Sequence, residues 1–269
     1  TAYDAAGRSV RQWLGAANLA QNSTLVKVNT YNAWNTQGGR LQRTNAGLYN
    51  TPASVLDQSY TYDTVGNIVS LVDAQNSGQK QCFGYDALDR LTSARVGDVN
   101  CNGSLGNGEY ADEGYTYDAI TGNLSSKTGM GSYLYGDTAH KHAVTATGSG
   151  WAYQYDFNGN MTRRDPPGSD VYDYAYDPEN RLHQVEKNEV GLAEFTYDGE
   201  GARVQAEVNS TVTYFFGGIY ESTGGVITKY YTASGVRLAL RVGGDMTYLF
   251  GDHLGSTSAT YRVSDATTT

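Results

Sequence analysis

The chain is written in short alternations. Aromatic residues recur two apart at Tyr60/Tyr62, Tyr115/Tyr117, Tyr153/Tyr155, Tyr174/Tyr176 and Phe195/Tyr197. Period-two spacing puts both rings of a pair on one face of a strand. After each pair comes an Asp, then a short turn-like stretch. A Gly, Asp or Asn follows, then in most units a basic or amide residue, and an aliphatic that resumes the alternation. This pattern predicts a β-hairpin. The Asp accepts bonds from backbone N–H groups two or three residues on. The Gly or Asn tolerates the positive φ that tight hairpins need. The Arg or Asn bonds back across the turn, or pairs with an Asp of a neighbouring unit.

The unit recurs along the chain, with its Tyr-Asp pair at Tyr3, Tyr62, Tyr85, Tyr117, Tyr155, Tyr176 and Tyr197. The closes are Gly7-Arg8, Gly66-Asn67-Ile68, Asp89-Arg90-Leu91, Gly122-Asn123-Leu124, Gly159-Asn160-Met161 and Asn180-Arg181-Leu182, with a looser Gly201-Ala202-Arg203-Val204. Tyr31-Asn32 with Gly39-Arg40-Leu41 reads as a degenerate further copy. Tyr155, Tyr176 and Tyr197 stand 21 residues apart. A fixed period in the twenties marks a repeat array in which each unit packs on its neighbours. Tyr suits such an array because its ring buries apolar area while its hydroxyl needs a partner. Stacked hairpins would bring these rings into ladders, each contact contributing about 0.5–1.5 kcal/mol. The rings read as core in preference to a sugar-binding surface, since aromatics at i and i+2 mark a half-buried strand.

Composition agrees with many short strands. Charged residues are 17% of the 269, below the usual quarter, while Tyr contributes 23 residues and Gly 33. A disordered chain would be richer in charge and poorer in aromatics. The net charge of -9, with only 19 Lys plus Arg, makes a poor ligand for nucleic acid or for anionic membranes. No apolar run is long enough to span a bilayer as a helix.

The repeated phrase resembles the YD repeat of the Rhs family, a group that includes bacterial Rhs polymorphic toxins, the C components of Tc insecticidal toxins and the teneurins. Further stretches are similar to the family: YLYGDTAHKHAVTA (133–146) leading into the Tyr155 unit, and YFFGGIYE (214–221), YYTASGVRLALR (230–241) and YLFGDHLGSTSAT (248–260), which resemble the Rhs-associated core. The resemblance implies an all-β fold of consecutive hairpins in a twisted, spiralling sheet, a section of a hollow shell. It implies two regions: a YD-repeat array over 1–213 with an inserted loop near 98–113, and core-like strands over 214–269. In the toxins such a shell holds a C-terminal effector, and the proteins are secreted or at the bacterial cell surface. The family's self-cleaving region, with paired Asp residues in DPxG-type motifs, follows the DHLGS strand and is not in this sequence. The one match, Asp165-Pro166-Pro167-Gly168, falls before the core-like strands and reads as a turn. The expectation is therefore a scaffold without enzymatic activity of its own.

One loop has a ligand-like pattern. DVNCNGSLGNGE (98–109) fits D-x-[DN]-x-[DN]-G-x5-E through Asp98, Asn100, Asn102, Gly103 and Glu109, with the Ser104 carbonyl as a further oxygen. Two readings stand: a Ca²⁺ site in a loop inserted between hairpins, or an ordinary Asn-Gly-rich loop. Cys82 and Cys101 are the only cysteines, and they form one bridge or remain two thiols. His140 and His142 alternate on an expected strand but lack the further ligands of a zinc pattern, and read as surface or turn histidines in preference to metal ligands. His183 lies outside the repeated pattern. His253, in the core-like GDHLGS string, reads as holding a turn; Asp252, His253 and Ser256 are too close in sequence to form a triad. The partners expected are the remainder of a longer chain, further copies joined through sheet edges, and an enclosed effector. The rival to a shell is a self-assembling or adhesive extracellular filament that covers its exposed sheet edges with other copies. A glycan-binding module with exposed tyrosines is the third reading.

Overall fold

The computed structural model describes residues 1–15, 24–76, 78–97, 111–168, 170–264 and 267–268. The fold is all-β, built from consecutive antiparallel hairpins, as the period-two pattern predicts. The chain divides into two compact units. The first comprises 1–113, 233–240 and 245–269, and the second 114–232 and 241–244. This division by compactness follows a different line from the change of sequence pattern near 214.

In the first unit the strands Ala2–Tyr3, Ser9–Leu14, Leu25–Tyr31, Leu41–Leu48, Thr51–Tyr62, Ile68–Asp73, Gln79–Tyr85 and Leu91–Gly97 pair in chain order. A separate hairpin, Asp245–Gly251 with Thr257–Arg262, packs onto this sheet. Its Phe250 and Ala259 join Leu14, Leu25, Ala46, Val55 and Leu56 in a buried cluster. Register explains why these residues meet: Leu14 lies opposite Leu25, and Ala46 is paired with both Lys27 and Leu56, so they share a sheet face. On that face Lys27 Nζ donates to the Gly251 carbonyl at 2.7 Å. The Tyr60 and His253 rings meet edge-on, with centroids 4.8 Å apart. Burial of Tyr60 pushes its hydroxyl pKa well up, and Asp252 adds to the shift.

In the second unit the strands from Glu113–Tyr117 to Val226–Ala233 also pair in chain order. Here the described buried residues are few and small: Thr147, Val185, Ala193 and Ala206. Tyr172, Tyr174 and Tyr176 stay half-buried on one face of their strand. The opposite face carries Asp173, Glu186, Glu194 and Glu207, and across one strand pair Glu194 lies directly opposite Glu207.

Candidate functional site

The feature this chain builds most often is the turn after each Tyr-Asp pair. In the Asp177 turn, the Asp177 N–H donates to the Arg181 carbonyl at 2.9 Å and the Asn180 N–H to the Asp177 carbonyl at 3.0 Å. Asn180 has φ 61°, in the left-handed region. A type I turn followed by one left-handed residue is a standard three-residue hairpin loop. The carboxylate occupies its interior. Oδ1 of Asp177 accepts from the N–H groups of Glu179 and Arg181, each at 2.9 Å, and Oδ2 accepts from Arg181 Nε at 2.7 Å. The N–H groups that the tight loop turns inward are thus satisfied by the residue that starts it.

The same loop recurs at Asp4, Asp86, Asp156 and Asp198, with Gly7, Asp89, Gly159 and Gly201 as the left-handed residues; at Asp63 the loop closes on the Asn67 carbonyl, but the Gly66 N–H donates to the Asp63 carboxylate at 2.7 Å. Side chains that bond back to the Asp are Arg8, Asn67, Arg90 and Asn160. The bond to Arg8 or Arg90 lowers the carboxyl pKa of Asp4 and Asp86, the Asn160 amide does so at Asp156, and the Arg181 N–H leads at Asp177. At Asp63, desolvation pushes upward but is outweighed by the Gly66 and Asn67 donors, and the net shift is down. Beyond each loop the register slips by one, leaving one extra residue on the returning strand: Val69, Thr92, Thr162, His183 and Val204 among them. Such bulges bend a strand and increase its twist.

The structure also shows what the Tyr hydroxyl does. Tyr62 donates to the Leu41 carbonyl at 2.6 Å, Tyr85 to Ile68 at 2.9 Å, Tyr176 to Met161 at 3.1 Å and Tyr197 to Leu182 at 2.8 Å. Each acceptor is the aliphatic residue that re-enters the sheet after the preceding turn. Each unit therefore satisfies a carbonyl of the unit before it. Arginines link units the other way: Arg8 lies 4.2 Å from the Tyr31 ring centroid, Arg40 5.8 Å from that of Tyr62 and Arg181 5.0 Å from that of Tyr197. Further turn-to-turn bonds run from Arg8 to the Gly39 carbonyl, from Arg40 to Val65, from Asn67 to Asp89 and from Asn160 to Asn180.

This corrects the expected ladder of stacked tyrosines. The rings of Tyr60 and His253, of Trp151 and Tyr153, and of Phe216 and Tyr220 are in contact, and none of these pairs joins two repeat tyrosines. The reason is spacing. Successive repeat tyrosines sit two strands apart, roughly 10 Å, beyond the range of about 4.5–7 Å for ring contact.

Two turns not counted as Tyr-Asp units use the same chemistry. Asp252 accepts from the N–H groups of Leu254 at 2.8 Å and Ser256 at 3.0 Å, with Gly255 left-handed. Asp252 is therefore a turn residue, and His253 packs its ring on Tyr60. Asp137 accepts from the Ala139 and His140 N–H groups, and its Oδ2 lies 2.9 Å from His140 Nδ1. His140 here stands in for the arginine. Its pKa is raised by that bond to Asp137, and the pKa of Asp137 is lowered by the same bond. His140 and His142 thus lie in a loop and not on the expected strand, because Asp137 turns the chain there; His142 Nδ1 is 2.6 Å from Asn123 Oδ1. The Tyr31 copy closes through the Asn32 N–H and the Arg40 carbonyl at 2.8 Å, around a short helix, Trp34–Gln37. Tyr172-Asp173, by contrast, lies within a strand, Tyr172–Tyr176.

The candidate Ca²⁺ ligands Asp98, Asn100, Asn102, Ser104 and Glu109 lie outside the described residues, as does Cys101. Cys82, on the strand Gln79–Tyr85, is buried and disulfide-bonded. Asp165 ends a strand, and Gly168 after it has φ 133°, in keeping with a turn. Among the described residues no group of three or more His, Cys, Asp or Glu is placed to hold a metal. No described helix is long and apolar enough to cross a membrane.

No family model matches the chain, and no curated protein does. Solved structures do. The crystal structure of TcdB2-TccC3 without its hypervariable C-terminal region matches over 99% of this chain with a TM-score of 0.53 and 16% identity. That of TcdB2-TccC3-Cdc42 matches over 97%, with a TM-score of 0.51 and 15% identity. TccC3 is an Rhs/YD-repeat shell component. The chain has the YD-repeat fold. At this identity it is the fold that is shared, and the chain spans only 15–16% of the length of those chains. The YD turn described above is the unit from which this fold is assembled here.

Proposed function

We propose that this chain is a non-catalytic section of a YD-repeat shell, whose work is to hold a wall of hairpins rigid around an enclosed effector. The observation that carries this reading is the reciprocal bonding between successive units. The hydroxyls of Tyr62, Tyr85, Tyr176 and Tyr197 tie to the unit before, and Arg8, Arg40, Asn67, Asn160 and Arg181 tie to the unit after. The repeated Asp, Arg and Tyr groups are consumed by one another, which is the economy of a scaffold and not of a reaction centre. The fold likeness to TcdB2-TccC3 supports the shell over the filament. By the same resemblance the parent protein is secreted, with the rest of its chain covering the sheet edges. Ca²⁺ at Asp98 and Glu109, and a Cys82–Cys101 bridge beside it, would fix the inserted loop to its hairpin. That Ca²⁺ site is tested by thermal unfolding with and without the ion, in the wild type and in an Asp98→Ala, Glu109→Ala variant.

Electron microscopy of the natural full-length gene product tests the reading. A hollow, closed particle with these hairpins in its wall is expected. Strings of repeating subunits would overturn it in favour of the filament.

A further inference from the structure

We propose that the cleft between the Asp118 and Asp137 turns, within the second unit, is a binding site for a neutral saccharide. The Asp118 turn departs from the rule that the other YD turns follow. In the five turns with an Arg or Asn four residues after the Asp, that side chain occupies Oδ2 of the Asp. The Asp118 loop is one residue longer, closing from the Asp118 N–H to the Asn123 carbonyl at 2.8 Å. Asn123 is thereby carried past the carboxylate. Its Nδ2 instead donates to the Lys141 carbonyl at 2.9 Å, and its Oδ1 meets His142. The bonds to the Asp118 carboxylate all fall on Oδ1, from the Ile120 and Thr121 N–H groups and the Thr121 hydroxyl. Oδ2 of Asp118 has no partner among the described residues.

The displaced loop borders a cleft of about 420 Å³ lined by Asp118, Tyr133, Tyr135, Asp137, Thr138 and Lys141, among others. That volume is in the range of small-molecule sites, about 300–1,000 Å³. Tyr135 is fixed as a wall, since its hydroxyl donates to the Leu124 carbonyl at 2.8 Å. The Tyr133 hydroxyl, the Thr138 hydroxyl and Lys141 Nζ have no partner among the described residues. The charges select the ligand. Lys141 lines the cleft and its positive charge disfavours a metal cation, while the carboxylates of Asp118 and Asp137 disfavour an anion. A neutral ring with hydroxyls on its rim meets both. Its hydroxyls donate to Asp118 and accept from Lys141 and Tyr133, while its C–H face lies on a tyrosine ring. Nothing in the scaffold role needs these groups left free.

Saturation-transfer NMR and calorimetry on the chain test this with glucose, galactose, N-acetylglucosamine and their disaccharides, with N-acetylneuraminic acid as the anionic probe. The variants are Asp118→Asn, which keeps the loop's shape, Tyr133→Ala and Lys141→Met, each checked for an unchanged fold by circular dichroism. The expected result is binding of a neutral saccharide that falls at least about tenfold, the scale of one charged hydrogen bond, in Asp118→Asn and in Lys141→Met. No binding of any neutral probe, tighter binding of the anionic one, or binding indifferent to all three variants would overturn the proposal.

Discussion

The two units share one turn and differ in what lies beneath it. In the first, Leu14, Leu25, Ala46, Val55 and Leu56 are closed over by Phe250 and Ala259 from a distant part of the chain. In the second, the described buried residues are Thr147, Val185, Ala193 and Ala206, and the larger side chains stay half-exposed. The first unit is held by burial of apolar area, the strongest driving force for folding in most domains. The second relies on bonds along its edge: turn carboxylates on N–H groups, arginines over tyrosines, and tyrosine hydroxyls on carbonyls. The difference shows that a YD unit is complete as a turn but not as a core. Its alternation supplies only half-buried aromatics, and deep burial comes where a second layer is laid on the sheet.

The comparison is broken most directly at Phe250. Phe250→Ala removes the largest fully buried side chain of the first unit and should cost about 3–5 kcal/mol. Urea unfolding should show that loss, and hydrogen exchange should place it in the first unit, with strands 172–208 retaining their protection. A smaller effect is expected for Tyr197→Phe, which removes the hydroxyl that donates to Leu182 and costs about 1 kcal/mol. That loss should appear in exchange around Leu182 and Tyr197. An equal effect on the two units would deny that the bond is local.

Acid and alkali separate the units further. The carboxyl pKa values of Asp118, Asp137, Asp156 and Asp177 are held down in the folded second unit. A lowered folded pKa gives stability that is full above the unfolded pKa, about 3.9, and is lost as pH falls through the folded value. The second unit, whose described buried residues are few and small, should therefore loosen first in acid. His140 behaves oppositely. Its pKa is raised, so its contribution is full below the unfolded value of about 6.5 and is lost as pH rises through the folded one. His140→Ala should abolish a small drop in protection of the 137–143 loop between neutral and mildly alkaline pH. A drop that persists in the variant would assign it to another group.

Much of this was legible in the residues. Period-two aromatics fixed the strands, and Asp with a following Gly or Asn fixed the turns, because both signals are local and demand a particular backbone. The bracing by Arg8, Arg90 and Arg181 followed from their place after the turn. A turn at His253 was legible, but its kinship with the YD turns was not, because a Gly stands where the tyrosine belongs and the aromatic half of the phrase is absent. The Asp137 turn was hidden because a histidine replaces the arginine. The ring ladder was expected from alternation along a strand, but ring contact depends on spacing across strands, which one sequence period does not reveal. The core around Phe250 joins residues more than two hundred positions apart, and no local pattern encodes that pairing. The cleft at Asp118 came from a single extra residue in a loop.

Peptide-resolved hydrogen exchange, followed from neutral pH down through the carboxylate range, measures the central claim. The account predicts that segments 172–208 lose protection first as the turn carboxylates protonate, while 25–31 and 51–60 stay protected over the Phe250 core. Loss of protection in both units at one pH, or in the first unit before the second, would contradict it.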